Sequence, residues 1–130
     1  MNERVNQVQN LPLHRYLGVG EIDSADGKAT FSVVVTERIL NPAGALHGGV
    51  IYMFCDICAY AGLLSILDSD QEAVTHDIHV SVLRGAALGD TVTFSSNVIK
   101  KGKSLCFIEV IASVRGKVIA TARVTKSLLS

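Results

Sequence analysis

The chain is predicted to be an α+β domain in which one curved antiparallel sheet wraps around a single long apolar helix. Three observations predict it. The run from Gly48 to Leu67, GGVIYMFCDICAYAGLLSIL, is apolar on every side and interrupted by one charge, Asp56. Four strand-like stretches follow it, near 73–83, 90–100, 104–115 and 117–128, and two precede it, near 17–25 and 28–36. A helix apolar all round must be enclosed, and a sheet curved about it encloses it with the least chain.

Residues 1–16 are polar and mixed, with a short helical turn expected after Pro12. The first two strands are joined by a turn at Ser24-Ala25-Asp26-Gly27, and in the second of them Ala29, Phe31, Val33 and Val35 alternate with Thr30, Ser32, Val34 and Thr36. Glu37 to Gly44 reads as a loop, since Asn41-Pro42 and Gly44 are turn signals. The helix is expected from about Leu46 to Leu67, stopped by Asp68-Ser69-Asp70. The later strands are separated by Gly85 to Asp90, by Lys101-Gly102-Lys103 and by Arg115-Gly116-Lys117, the last two short enough for tight hairpins. Val118, Ala120, Ala122 and Val124 alternate with polar neighbours in the last strand. No repeat or linker divides the chain, so residues 1–130 read as a single domain with 1–12 as an N-terminal extension.

Twelve basic and twelve acidic residues cancel, which argues against a nucleic-acid binder, because phosphate neutralisation needs a basic stripe. The chain is 48% hydrophobic and 18% charged, and a small domain with that much apolar surface is expected to cover it by self-association. With no signal-peptide pattern and three scattered cysteines, Cys55, Cys58 and Cys106, a reduced cytoplasmic protein without disulfides is expected. The Gly48–Leu67 run is long enough to span a bilayer, but a mid-span Asp56 is costly in lipid and no Lys/Arg cluster flanks it. It is read as a buried helix, and no membrane partner is expected.

Asp56 is the first candidate for chemistry. A carboxylate buried without partners costs several kcal/mol, so such a residue either caps or bridges something or acts. The second candidate is the segment leading into the helix, Asn41-Pro42-Ala43-Gly44-Ala45-Leu46-His47-Gly48-Gly49. Unpaired N–H groups at a helix start carry partial positive charge and can hold an oxyanion, and glycines there admit close approach; an ordinary sharp turn is the plainer alternative. His47 and Asp56, nine residues apart, fall on opposite sides of the helix and roughly a dozen ångströms apart along it. If both serve one site, they come from different subunits.

Cys55 and Cys58 form a C-x-x-C in mid-helix, away from the N-terminus that would activate a thiol, and read as inert packing. In Thr75-His76-Asp77-Ile78-His79, strand alternation places His76 on one face and Asp77 and His79 on the other, too few ligands per face for a metal. No metal site is expected.

The Asn41 to Gly49 run followed after six residues by Asp56 resembles the hotdog-fold acyl-CoA thioesterases of the PaaI-like type, within the 4-hydroxybenzoyl-CoA thioesterase superfamily. The similarity extends over about residues 12–128, including Lys101-Gly102-Lys103-Ser104 and Gly116-Lys117-Val118-Ile119-Ala120. The resemblance implies hydrolysis of a thioester to a free acid and CoA, with no cofactor beyond the CoA of the substrate. It assigns the oxyanion-binding N–H to Gly48, placement of water or polarisation of the carbonyl to Asn41, and support of that loop to His47. Asp56, from the partner subunit, would be general base or nucleophile, assisted by Thr75, which stands where the family more often has serine. Gly49, Tyr52 and Tyr60, with Phe54 and Leu63, would line the substrate's path, and Lys101 and Lys103 beside Lys100 would meet CoA phosphates or form only a solvated turn. The implied assembly is a dimer with active sites at its interface, pairing into a tetramer. Two rival readings remain at this stage: an enoyl-thioester hydratase or dehydratase on the same fold, and a non-catalytic acyl-CoA sensor.

Overall fold

The computed structural model describes residues 2–129. Helices α1 (Glu3–Asn10) and α2 (Pro12–Leu17) lead into strands β1 (Asp23–Ala25) and β2 (Lys28–Val34), a 3-10 turn (Glu37–Ile39) and the long helix α3 (Gly48–Leu64). Strands β3 (Glu72–Val82), β4 (Thr91–Lys101), β5 (Leu105–Val114) and β6 (Lys117–Leu129) complete one antiparallel sheet of order β1-β2-β4-β5-β6-β3. The predicted sheet around one helix is the architecture observed. Its order has a consequence the linear sequence hides: the connection from β2 through α3 passes β4, β5 and β6, so β3 pairs only with β6 and forms the free edge nearest Asp56.

The hairpins follow from backbone sterics. Ala25 pairs with Lys28 and Val114 with Lys117, each across a two-residue loop whose residues all have positive φ: Asp26 and Gly27, Arg115 and Gly116. Such loops match the right-handed twist of the strands, and Gly or Asp tolerates the required φ best. The N-terminal reading needs correction. Residues expected to begin a strand at 17 instead finish α2, which stops at Gly18 with φ +92, and only Asp23–Ala25 pairs before the turn. Residues 3–10 are helical, Asn2 capping Arg4 N–H at 2.8 Å, and Val5 and Val8 are buried against the body of the fold.

Helix α3 is shorter than the apolar run. Leu46 donates its N–H to Ala86 and bridges Leu40 in extended conformation, so the helix begins only at Gly48. At the other end, carbonyls that lack intrahelical donors are met by side chains: Ser24 Oγ donates to Ala61, Ser65 Oγ to Gly62, and Asn2 Nδ2 to Leu64. No described helix is long and apolar enough to cross a membrane. The helix is seated by Phe54, whose ring lies 5.2 Å from Phe94 and 6.2 Å from Phe31, centroid to centroid. Phe54 and Leu63, expected in the substrate's path, belong to this core and are fully buried. Beyond the first turn, where Gly48, Gly49 and Val50 are open, Tyr52, Met53, Asp56 and Tyr60 remain partly or largely open, and Gly49, Tyr52 or Met53, Asp56 and Tyr60 follow one another at three or four residues, which makes one stripe turned away from the sheet.

Candidate active site

Asp56 lies on the open stripe of α3, and two neighbouring strands reach it. Thr75 of β3 donates its hydroxyl to Asp56 Oδ1 at 2.7 Å. Lys126 of β6 donates from Nζ to the same oxygen at 2.7 Å and to Thr75 Oγ1 at 2.8 Å. Thr75 and Lys126 are register partners, which brings both side chains to one height on the sheet. A bulge between Thr75 and Asp77 makes this possible without spoiling the rest of β3. Ala73 and Thr75 face the helix before it, and Ile78 and Val80 after it, so the inward set changes from odd to even positions. The bulge also corrects the expected facing of His76: its Nδ1 meets Ser127 Oγ at 3.3 Å on the outer face, the side to which Asp77 and His79 also turn. Even so, no group of three or more potential metal ligands is found among the described residues.

Asp56, Thr75 and Lys126 line an open cavity of about 270 Å³ together with His14, Ile57, Tyr60, Ala73 and Val74. The Tyr60 ring lies 5.3 Å from Lys126 Nζ, and its hydroxyl donates to Glu72 Oε1 at 2.6 Å, which is in turn paired with Arg4 at 3.1 Å. Burial, then the Glu72 carboxylate, push the Tyr60 phenol above its ordinary range, so it stays a donor. Another hollow, of about 240 Å³, lies on the outer sheet face, but its Arg123 and Glu109 are paired with each other at 2.7 Å.

The other predicted residues sit at the start of α3. His47 is the N-cap, its Nδ1 accepting the Gly49 N–H at 2.9 Å, and a Cβ on Gly49 would press on that ring at 3.2 Å. Gly48, the first helical residue, has an N–H with no intrahelical acceptor. Asn41 spends its Oδ1 on the N–H groups of Ala43 and Ala45, at 2.9 and 3.0 Å, and so holds the loop in shape. That leaves only its Nδ2 for a substrate.

Within one chain these groups do not meet Asp56: none lines its cavity, and eight residues of helix separate Gly48 from it by about 12 Å. Tyr60 joins the Asp56 cavity, whereas Tyr52 leans on β3 with its hydroxyl 3.5 Å from the Val80 carbonyl. Lys101 and Lys103 stay exposed at the β4–β5 hairpin and line no part of that cavity. Cys55 and Cys58 are buried, and burial pushes both thiols up to about 12, consistent with packing rather than chemistry. Lys126 is the residue the sequence reading missed. Its signal was the inward alternation Ala120, Ala122, Val124 carried on two more residues, to a lysine.

A long helix wrapped by one six-stranded antiparallel sheet in this order is the hotdog fold. The chain belongs to the thioesterase superfamily, whose family model matches residues 43–119. Human acyl-coenzyme A thioesterase 13 is 30% identical to it over 109 residues, 82% of this chain and 77% of the human protein. Among solved structures, the E. coli PaaI protein from the phenylacetic acid degradation operon superposes with a TM-score of 0.86 at 24% identity, over 96% of this chain and 89% of that one. A Streptococcus pneumoniae protein described as a hypothetical thioesterase, solved with coenzyme A, superposes with a TM-score of 0.79 at 23% identity, over 85% of each chain. These two structural likenesses establish the shared fold.

Proposed function

We propose that this chain hydrolyses an acyl-CoA, with an aromatic or a short to medium acyl group, at a site built from two copies of itself. The observation that carries the reading is the Asp56 carboxylate, half-open to a cavity and held by Thr75 and Lys126, in a member of the thioesterase superfamily. The human relative's name and the coenzyme A bound to the streptococcal protein support CoA as the thiol. The open stripe of α3, with exposed Tyr52, and the free edge of β3, with exposed Val74 and Val82, form a surface suited to a second copy. Antiparallel apposition of two such helices would bring Gly48 of one copy towards Asp56 of the other.

In that site Asp56 takes a proton from water as the water oxygen attacks the thioester carbonyl. The tetrahedral oxyanion is held by the Gly48 N–H, the C–S bond then breaks, and the thiolate leaves with the proton from Asp56. The alternative course, attack by the carboxylate itself to give a mixed anhydride that water cleaves, uses the same residues. His47 Nδ1 is engaged in the helix cap, which weighs against a hydratase with His47 as its base. Three buried, unpaired thiols suit a reducing cytoplasm.

The test follows free thiol released from phenylacetyl-, hydroxybenzoyl-, short-chain and medium-chain CoA thioesters. Turnover by the wild type, reduced about a hundredfold or more in folded Asp56→Asn, is the expected result. Equal rates would remove Asp56 from the mechanism. Tight acyl-CoA binding without turnover by the wild type would point to a sensor instead.

A further inference from the structure

Lys126 is the least exposed charged side chain among the described ion pairs, 4% accessible, yet the carboxylate it holds is 39% accessible. Both side chains line the cavity, but the cation is set deep in its wall and the acid is the partner that stands open to solvent. A buried ion pair is seldom worth its desolvation as stability alone, because an apolar pair of the same volume is often as stable or more so. A one-sided pair at a cavity wall calls for another reason.

The proton arrangement supplies one. An ammonium has donors and no lone pair, so the Thr75 oxygen must accept from Lys126. The single Thr75 hydroxyl proton is then directed to Asp56 Oδ1, where the structure places it at 2.7 Å. Thr75 is thereby made a donor and cannot serve as a base. Oδ1 in turn receives two donors, one of them charged, while Oδ2 receives none among the described residues. The two carboxylate oxygens become unequal, and Oδ2 is the one left with its electron pairs available. Tyr60 backs the arrangement, its ring 5.3 Å from Nζ and its hydroxyl tied to Glu72.

We propose that Lys126 is a positioning residue for the hydrolysis inferred above, on which this proposal rests: it sets the Thr75 hydroxyl and immobilises Asp56 through Oδ1, so that Oδ2 alone meets water or the thioester carbon. It acts through Asp56 and touches no substrate. The role is the same whether Asp56 works as base or nucleophile.

The test compares wild type, Lys126→Met, Asp56→Asn and the double variant on whichever acyl-CoA the wild type turns over best. Lys126→Met keeps an unbranched side chain, one atom shorter, and removes its charge. Its kcat should fall by about thirtyfold or more with KM little changed, a loss made only in the transition state. The double variant should be no slower than Asp56→Asn, because residues that act as a unit are not additive. If Lys126→Met fails to fold, Lys126→Ala with and without propylamine takes its place, and a rise in kcat on adding the amine is the expected result. A kcat within a few-fold of wild type, a change confined to KM, a double variant slower than Asp56→Asn by the full Lys126→Met factor, or no amine rescue overturns the proposal. In those cases the wild type still turns over. No turnover of any thioester by the wild type overturns the functional reading, and this proposal falls with it.

Discussion

Asp56 and Cys55 are neighbours on α3, yet their surroundings give them opposite fates. Asp56 turns to the open stripe and finds two donors, whereas Cys55 turns to the sheet. Burial first, then the neighbouring Cys58 and Asp56, drives the Cys55 thiol up to about 12, and burial does the same for Cys58. Cys106 is raised as well, again by burial. A raised thiol pKa means a neutral thiol at ordinary pH: at pH 8 a group of pKa 12 is thiolate in about one molecule in ten thousand, and only the thiolate reacts. The folded protein should therefore react with DTNB at pH 8 only as fast as it opens, and should show all three thiols at once in denaturant. Prompt modification of a cysteine in the native state would contradict this. The expected silence of the three thiols also leaves the CoA-release assay readable.

At the scale of the element, the position of Asp56 depends on how closely α3 can lie on the sheet. Gly62 sets that distance: a Cβ there would stand 2.7 Å from Ser96 Oγ, with the Gly27 carbonyl and Ala29 N–H just behind, at 3.4 and 3.5 Å. Ser96 is buried and donates to the Cys58 carbonyl at 2.8 Å, so moving it leaves a buried hydroxyl poorly satisfied. Gly62→Ala is expected to destabilise the fold by about 1–3 kcal/mol, the usual cost of overpacking, measured as a lower urea midpoint at unchanged slope. A neutral result would mean that α3 can lift without cost. The β3 bulge is the matching device on the sheet, because it turns Thr75 inward while leaving Ile78 and Val80 in the core.

At the scale of the molecule, the proposed site draws on the start of α3, at Gly48, in one copy and on its middle, at Asp56, in another. A complementation experiment tests whether two copies make it whole. Gly48→Pro removes the proposed oxyanion donor with little disturbance: proline suits the first helical position, His47 already has the extended backbone a following proline demands, and nothing lies within 4 Å of a Cβ at Gly48. Gly48→Pro and Asp56→Asn should each lose about a hundredfold or more in kcat. Unfolded and refolded together in equal amounts, they should recover about a quarter of wild-type activity, since half of the randomly formed dimers carry one intact site of two. No recovery, with mixed dimers shown to form, would place Gly48 and Asp56 in the same subunit's site or remove one of them from the mechanism.

The sequence by itself determined the helix, the strands after it and the anomaly of Asp56, because each is written in local periodicity: an apolar run with one charge, alternation of period two, and turns with Gly at positive φ. It also placed His47 and Gly48 at the helix start, where capping chemistry is local. It did not reveal α1, whose burial rests on two valines three residues apart and on partners as distant as Leu64. Nor did it reveal where α3 ends, since the side chains of Ser24 and Asn2 that satisfy its last carbonyls come from far along the chain. Lys126 is the sharpest case. In sequence it is one more lysine near the end of a strand; only the pairing of β6 with β3 at the edge of the sheet, one residue out of step at His76, sets it beneath Asp56 and beside Thr75. Periodicity reports which face a residue prefers, but which charge lies opposite which is decided by strand order and register, and those exist only once the chain has folded.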